Sequence, residues 1–475
     1  MKVATTAGAK RSSRVVSVFH SLEESVAFAA LAAMVLLPLA ELLVRPFVAG
    51  GIPGSIPFVE HLTLWVGFLG AGIAARRGKL VALATATFIP AGMFRIVART
   101  FSATVGAMVS ALLAWSAIDV VLIEIEFGNE IALGIPQWFF QLVLPFAFGL
   151  IACRLVWYSG NWPARLVATS GLITGIWFAG SWELFDGLPG WPWVMLVIVA
   201  ALAGAPIFSV LAGSAVFLYM VDAFDPAAVP LFAYDLATEP HLPSIPLFTL
   251  AGFILAQGQS SERLLGVFRA VAGWLPGGTA VVCALVCAFF TVFTGGSGVT
   301  ILALGGLLLP ALLKEGYGDR FSIGLLTASG SLGLLLPPAM PLILYAIVAQ
   351  TAPENLFIGG LLPGALLIGL VAAWGMWHGS STGTGRQSFS WFDAKRAIWS
   401  AKWELVLPVV VLGALFSGRA TLVETSALTA LYAAMVTGIV HRDFVFTDGL
   451  RRAFGECIVL IGGVLVILAV AKGFT

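Results

Sequence analysis

Apolar runs long enough to cross a lipid bilayer recur along this chain, and they constrain its fold more than any other feature. A helical span needs about 20 apolar residues. Runs at roughly 24–44, 58–75, 101–123, 136–158 and 166–182 meet or approach that length, and shorter ones continue to the end. Composition agrees: 59% of the 475 residues are hydrophobic and 10% charged, against about a quarter charged in soluble domains. The fold class these runs imply is an all-α polytopic membrane protein. A net charge of +1 with no basic arm argues against nucleic acid as a ligand. Cys153, Cys283, Cys287 and Cys457 lie in apolar surroundings without metal-ligand spacing, so they read as small hydrophobes.

Charges between the runs orient the chain. Lys2, Lys10, Arg11 and Arg14 precede the first run, which reads as an uncleaved helix with a cytoplasmic N-terminus. Arg76, Arg77 and Lys79 place the end of the second span on the same side. The short apolar stretch Leu80 to Gly92, with Pro90, reads as an interfacial helix. Spans three and four enclose an acidic outer loop at Glu124, Glu126 and Glu130, and a fifth leads out to Glu183 and Asp186. Asp186 to Pro192 is the best domain boundary, a turn-rich break between apolar runs. Beyond it comes Trp193 to Val221, interrupted at Gly204-Ala205-Pro206, then an acidic amphipathic segment, Asp222 to His241. His378 to Lys402 reads as the longest soluble loop, cytoplasmic by its charges. After it Ala420 to Tyr432 repeats the small-residue spacing of Ala205 to Phe217, entering from the opposite side, as in an inverted repeat.

Two apolar segments between Phe289 and Tyr345 are broken. One break is Thr294-Gly295-Gly296-Ser297-Gly298-Val299-Thr300; the other runs from Ser329-Gly330-Ser331-Leu332-Gly333 to Pro337-Pro338, with Pro341 beyond. Non-helical backbone at membrane depth survives only where protein or a cavity surrounds it, so a pair of breaks points to a binding site. Glycine admits close backbone approach, and proline leaves a carbonyl without its helical donor. The hydroxyls of Thr294, Ser297, Thr300, Ser329 and Ser331 add neutral oxygens, which with freed carbonyls suit a small hard cation such as sodium. A helix restarting after Gly298 would aim its positive end at an anionic group. The competing reading makes these Gly and Ser residues helix-packing positions and the prolines mere kinks.

These residues resemble the tripartite ATP-independent periplasmic (TRAP) transporters, as a fusion of the small and large membrane subunits. The large-subunit motifs are Phe290 to Ser297, Gly316-Tyr317, Gly333 to Pro341, Ser244 to Gly252, and Ala420-Thr421-Leu422-Val423-Glu424. Gly296 and Ala339 stand where that family's pattern has hydroxyl residues. The small-subunit part is similar mainly by span count, Glu60 and the basic turn at Arg76-Arg77. The resemblance implies a multi-pass protein of the bacterial inner membrane. It implies sodium-driven uptake of a carboxylate-bearing solute handed over by a periplasmic binding protein, with no ATPase subunit and no cofactor beyond sodium. It implies an elevator-type transport unit with a re-entrant hairpin. Residues 1–162 would be the small-subunit-like domain, 163–190 a linker helix, and 191–475 the transport domain, its second repeat incomplete. Thr294, Gly295, Ser297 and Thr300 would form the first hairpin tip, facing Ser329, Gly330, Gly333, Pro337 and Pro338. Sodium would be held through Gly295, Ser297 and Gly333, and Glu424 would be a second-repeat contact. Because the family carries a second hairpin beyond where Thr475 falls, the chain reads as part of a longer protein.

Charged groups inside spans are functional candidates by default. Glu41 and Arg45 have helical pairing distance; Glu60 and His61 read as inter-helix contacts; Asp119 continues the acidic loop; Glu424 has Arg419 as a local alternative partner. A membrane-embedded enzyme would cluster His, Asp or Glu, whereas the five histidines are scattered and no Walker A or Gly-x-Ser-x-Gly is present. An ion channel would show a filter motif or a ring of charge, and neither is legible.

Overall fold

The computed structural model describes residues 4–48, 51–381, 389–443 and 446–474, and the described residues are overwhelmingly helical. Among the described residues, eight helices are long and apolar enough to cross a membrane, and two bent helix pairs raise that to ten. The chain divides into two compact units, one of residues 1–33, 52–240 and 458–475, the other of 34–51 and 241–457.

In the first unit, α1 (Ala4–Val44, whose later part lies in the second unit), α2 (Ser55–Arg76) and α3 (Met93–Phe127) are followed by a small hairpin, β1 (Glu130–Ala132) with β2 (Ile135–Pro136). Then come α4 (Gln137–Gln141), α5 (Val143–Trp157), α6 (Trp162–Gly180), α7 (Trp191–Leu202), α8 (Ile207–Val221) and α9 (Ala228–Ala237). Gly128 closes α3 in the left-handed region, its N–H bonded to the Glu124 carbonyl. The fifth apolar run packs through glycine: a Cβ at Gly171 or Gly175 on α6 would lie 2.3 Å or 2.1 Å from the Thr104 or Met108 carbonyl oxygen on α3. This is the small-xxx-small solution to helix contact in a lipid environment, where backbone approach replaces hydrophobic drive. The interruption at Gly204-Ala205-Pro206 appears as the α7–α8 break, with Gly204 at φ +99°. The segment Asp222 to His241 does not span; its helix α9 buries Val229, Ala233, Tyr234 and Leu236.

Two expectations fail here for identifiable reasons. Leu80 to Gly92 is not a helix but extended chain around one 3-10 turn at Ala84–Phe88. Ala82 bridges to Pro206, and the Ile207 N–H donates to the Val81 carbonyl at 2.9 Å, so a partner distant in sequence satisfies this backbone. His378 to Lys402 is not one long loop either: helix runs to Ser381 and resumes at Trp391. Residues 382–388, including Gly383 and Gly385, lie outside the described residues.

The second unit contains α10 (Ser244–Gln257), α11 (Ser260–Ala272), α12 (Gly278–Thr294), α13 (Ser297–Lys314), α14 (Asp319–Ser329), α15 (Met340–Val348), α16 (Pro353–Ser381), α17 (Trp391–Ser400), α18 (Lys402–Phe416) and α19 (Leu422–Met435). The last helix, α20 (Phe446–Lys472), passes from this unit into the first. α8 and α19 both begin two residues after the alanines, Ala205 and Ala420, that the repeat alignment sets against each other. α14 with its 3-10 extension and α15 are bent by 48° across the Pro337-Pro338 break. Proline opens α6, α7 and α15 in the first turn, where its missing N–H has no helical acceptor to lose.

Candidate functional site

Both sequence breaks are real interruptions of helix. α12 ends at Thr294 because Gly295 adopts φ +66°, a left-handed cap whose N–H returns to the Thr291 carbonyl at 3.0 Å. Gly296 is extended, and α13 restarts at Ser297, not after Gly298. Those intervening glycines leave no room for a helical hydrogen-bond ladder. At the second break α14 stops at Ser329, a 3-10 turn spans Leu332–Leu335, and Leu336 and Ala339 are extended on either side of the buried Pro337 and Pro338.

Oxygen atoms from the two breaks meet at Thr291, a residue the sequence reading passed over. Its Oγ1 lies 2.7 Å from the Cys287 carbonyl, 2.9 Å from Thr300 Oγ1 and 3.0 Å from the Gly330 carbonyl. Thr300 Oγ1 is also 2.8 Å from Thr294 Oγ1 and 3.4 Å from the Gly296 carbonyl. Each hydroxyl has one proton and two lone pairs. Five oxygen–oxygen approaches therefore share three protons, and all three threonine side chains are fully buried. Ser329 is also fully buried, with a hydroxyl that has no hydrogen-bond partner among the described residues. Three protons serve at most three of these approaches, Thr294 to Thr300, Thr300 to Thr291 and Thr291 to one carbonyl, and leave two oxygen–oxygen contacts without one.

Glycines bring these segments together. A Cβ at Gly330 would sit 3.3 Å from the Ser297 carbonyl oxygen, and one at Gly295 would sit 3.0 Å from Met340 Cε. At Gly333 it would fall 2.3 Å from the Ala288 carbonyl oxygen, so this glycine lets the second break lie directly on α12. The Gly333 carbonyl already accepts the Leu336 N–H at 3.1 Å. Gly252 on α10 has the same character, its would-be Cβ 2.7 Å from the Phe293 carbonyl oxygen. Ser297 is half-buried, and Ser331 is exposed. A clue to Thr291 was present: it stands three residues before Thr294, one helical face, but inside an otherwise apolar run.

Glu424 stands in the first turn of α19. It closes a capping box with Thr421 and pairs with Arg45, whose Nε lies 3.5 Å from Glu41. Arg419, the neighbour expected to compete for it, makes no ion pair among the described residues. A second ionic group was missed entirely. Arg263 donates through Nε to Glu404 at 2.6 Å and through both terminal nitrogens to Asp443 at 2.9 Å and 2.6 Å. Burial pushes the Asp443 carboxyl up, but the bonds from Arg263 and the Gln259 N–H overcome it and hold the group below its ordinary range. In the first unit, His61 ties α2 to α9 as an inter-helix contact. Its Nδ1 lies 2.7 Å from the Pro57 carbonyl, which can only accept, so in the neutral ring Nε2 accepts from the Tyr234 hydroxyl at 2.8 Å.

Comparisons with known proteins cover most of the chain. The model for the DctM component of tripartite ATP-independent periplasmic transporters matches residues 194–475, and the model for the DctQ component matches residues 34–159. The isethionate TRAP transporter permease protein DctMQ of Oleidesulfovibrio alaskensis is 29% identical over 395 residues, 77% of this chain and 59% of that protein. The ectoine TRAP transporter large permease protein TeaC of Halomonas elongata is 31% identical over 49% of this chain and 54% of its own length. The C4-dicarboxylate TRAP transporter large permease protein DctM of Vibrio cholerae is 29% identical over 52% of this chain and 56% of its own. The chain thus spans somewhat more than half the length of each of these relatives.

Proposed function

The chain belongs to the tripartite ATP-independent periplasmic transporter family, and from that premise we propose that it is the membrane part of a sodium-coupled secondary uptake system. The solute is a small carboxylate-bearing molecule delivered by a periplasmic binding protein, and movement follows an elevator mechanism. Residues 1–162 act as the small-subunit-like domain, 163–190 as the linker, and 191–475 as the transport domain. The N-terminus lies in the cytoplasm, as the basic residues before the first apolar run and at the end of α2 favour.

The observation that carries this reading is the excess of lone pairs over protons where the breaks abut. Thr291, Thr294, Thr300 and the Gly330 carbonyl are neutral oxygen donors suited to a monovalent hard cation, which travels as co-substrate down its gradient. Ser329, with its unpartnered buried hydroxyl, extends the set, and Gly295, Ser297 and Gly333 shape the backbone around it. Pro337 and Pro338 keep the second break from closing into helix. The N-terminus of the 18-residue α13 leaves its first N–H groups free of helical acceptors, facing the place where an acidic group of the solute would bind.

Uptake by proteoliposomes tests this. The protein is reconstituted with its binding protein and offered labelled C4-dicarboxylates, ectoine and isethionate with an inward sodium gradient, then with sodium equal on both sides. Saturable uptake of a C4-dicarboxylate or ectoine that collapses without the gradient supports the proposal, whereas uptake of isethionate alone, a sulfonate, overturns the carboxylate assignment. Uptake indifferent to sodium removes the coupling.

A further inference from the structure

The start of α3 carries two arginines that the transport reading does not use. Arg95 and Arg99 are one turn apart, on the same face. Neither has a carboxylate partner among the described residues: Arg95 reaches the Ile89 carbonyl at 2.7 Å, and Arg99 the Tyr158 carbonyl at 2.5 Å. Of the other guanidiniums of this end, Arg165 lies over the Trp157 ring and three have carboxylate partners. Arg154 is paired in bidentate fashion with Glu23, and Arg76 and Arg77 reach Glu24. Two adjoining cavities of about 380 Å³ and 280 Å³ open beneath the extended 80–92 segment, sharing Arg99, the buried Ser102 and Gly204, and the larger one also takes in Arg95 and Thr87. Their size falls near the roughly 300–1,000 Å³ of small-molecule sites. Beside them Phe88, Met93 and Phe94 are 75–86% exposed, and Ile96 and Val97 more than half exposed.

We propose that this cleft binds the headgroup of an anionic phospholipid. A phosphodiester supplies the charge that Arg95 and Arg99 lack, and an arginine fork matches its geometry. The acyl chains commit the occupant to the bilayer rather than to soluble phosphate, because the rim at Met93, Phe94, Ile96 and Val97 offers apolar surface directly beside the cationic cleft. Exposed apolar side chains next to unpaired cations are costly in water and matched at a lipid headgroup boundary. The extended 80–92 segment, fixed by its bridge to Pro206, forms the roof.

Native mass spectrometry of the purified protein, delipidated and re-equilibrated with equimolar phosphatidylglycerol and phosphatidylcholine, tests this without reference to transport. Wild type should retain phosphatidylglycerol preferentially. Arg95→Gln and Arg99→Gln should each lower that retention about fivefold, whereas Arg95→Lys keeps most of it and Lys395→Gln, elsewhere on the chain, leaves it intact. Equal retention of both lipids by wild type would overturn the proposal, as would undiminished preference in either glutamine variant. Displacement of the lipid by millimolar inorganic phosphate or glycerol phosphate would assign the cleft to a soluble phosphate ligand and overturn it too.

Discussion

Thr291 is the residue on which the proposed cation site turns. Its hydroxyl lies within hydrogen-bond reach of both the segment after the first break, through Thr300, and the second break, through the Gly330 carbonyl. Thr291→Val keeps the shape and removes the oxygen, so the apparent sodium affinity should fall about tenfold or more, since a buried oxygen contact is worth about 1–3 kcal/mol. The fold should persist, with a melting temperature in detergent within a few degrees of wild type. Gly333 behaves differently. A methyl there meets the Ala288 carbonyl, and Gly333→Ala should cost about 1–3 kcal/mol of stability by displacing α12, measured as a lower melting temperature even without sodium. Asp443 gives a pH prediction. Its folded-state pKa is depressed, so the stability it shares with Arg263, alongside His441 and Glu404, is fully present above the ordinary carboxylate value of about 3.9. That stability is lost as pH falls through the lower folded value. Asp443→Asn should therefore melt well below wild type at pH 7 and converge with it only below about pH 4. Convergence already near pH 6 would contradict the assignment to Asp443.

At the scale of elements, the left-handed cap at Gly295 decides where α12 stops and how α13 is aimed. Gly295→Val places a branched side chain at φ +66°, a cost of about 1–2 kcal/mol, and directs it at Met340. Gly295→Asn tolerates that backbone better and should recover much of the sodium response, which a sodium titration of thermal stability would read. The breaks were legible in sequence because glycine and proline punctuate locally. What was illegible depended on partners far along the chain. Leu80 to Gly92 reads as a helix until Pro206 supplies its bridge. Glu424 has a near neighbour in Arg419, but the first helix brings Arg45 to it. The Arg263–Glu404–Asp443 group joins residues some 140 and 180 positions apart, a pairing no spacing rule anticipates. Removing one member while its buried partners remain should cost about 3–5 kcal/mol, so Arg263→Met should fail to yield folded protein where Glu404→Gln with Arg263→Met yields more.

For the whole molecule, the apolar runs and the family models establish a multi-pass membrane protein of the TRAP transporter family, and the proposal that it couples solute to sodium rests on unwound backbone offering oxygens near Gly295 and Gly330. The most direct test is equilibrium binding of radioactive sodium to the purified protein, wild type beside Thr291→Val and Thr300→Val. The account predicts saturable binding that excess unlabelled sodium displaces and potassium does not, weakened about tenfold in each variant. Binding of equal strength in all three proteins would contradict it.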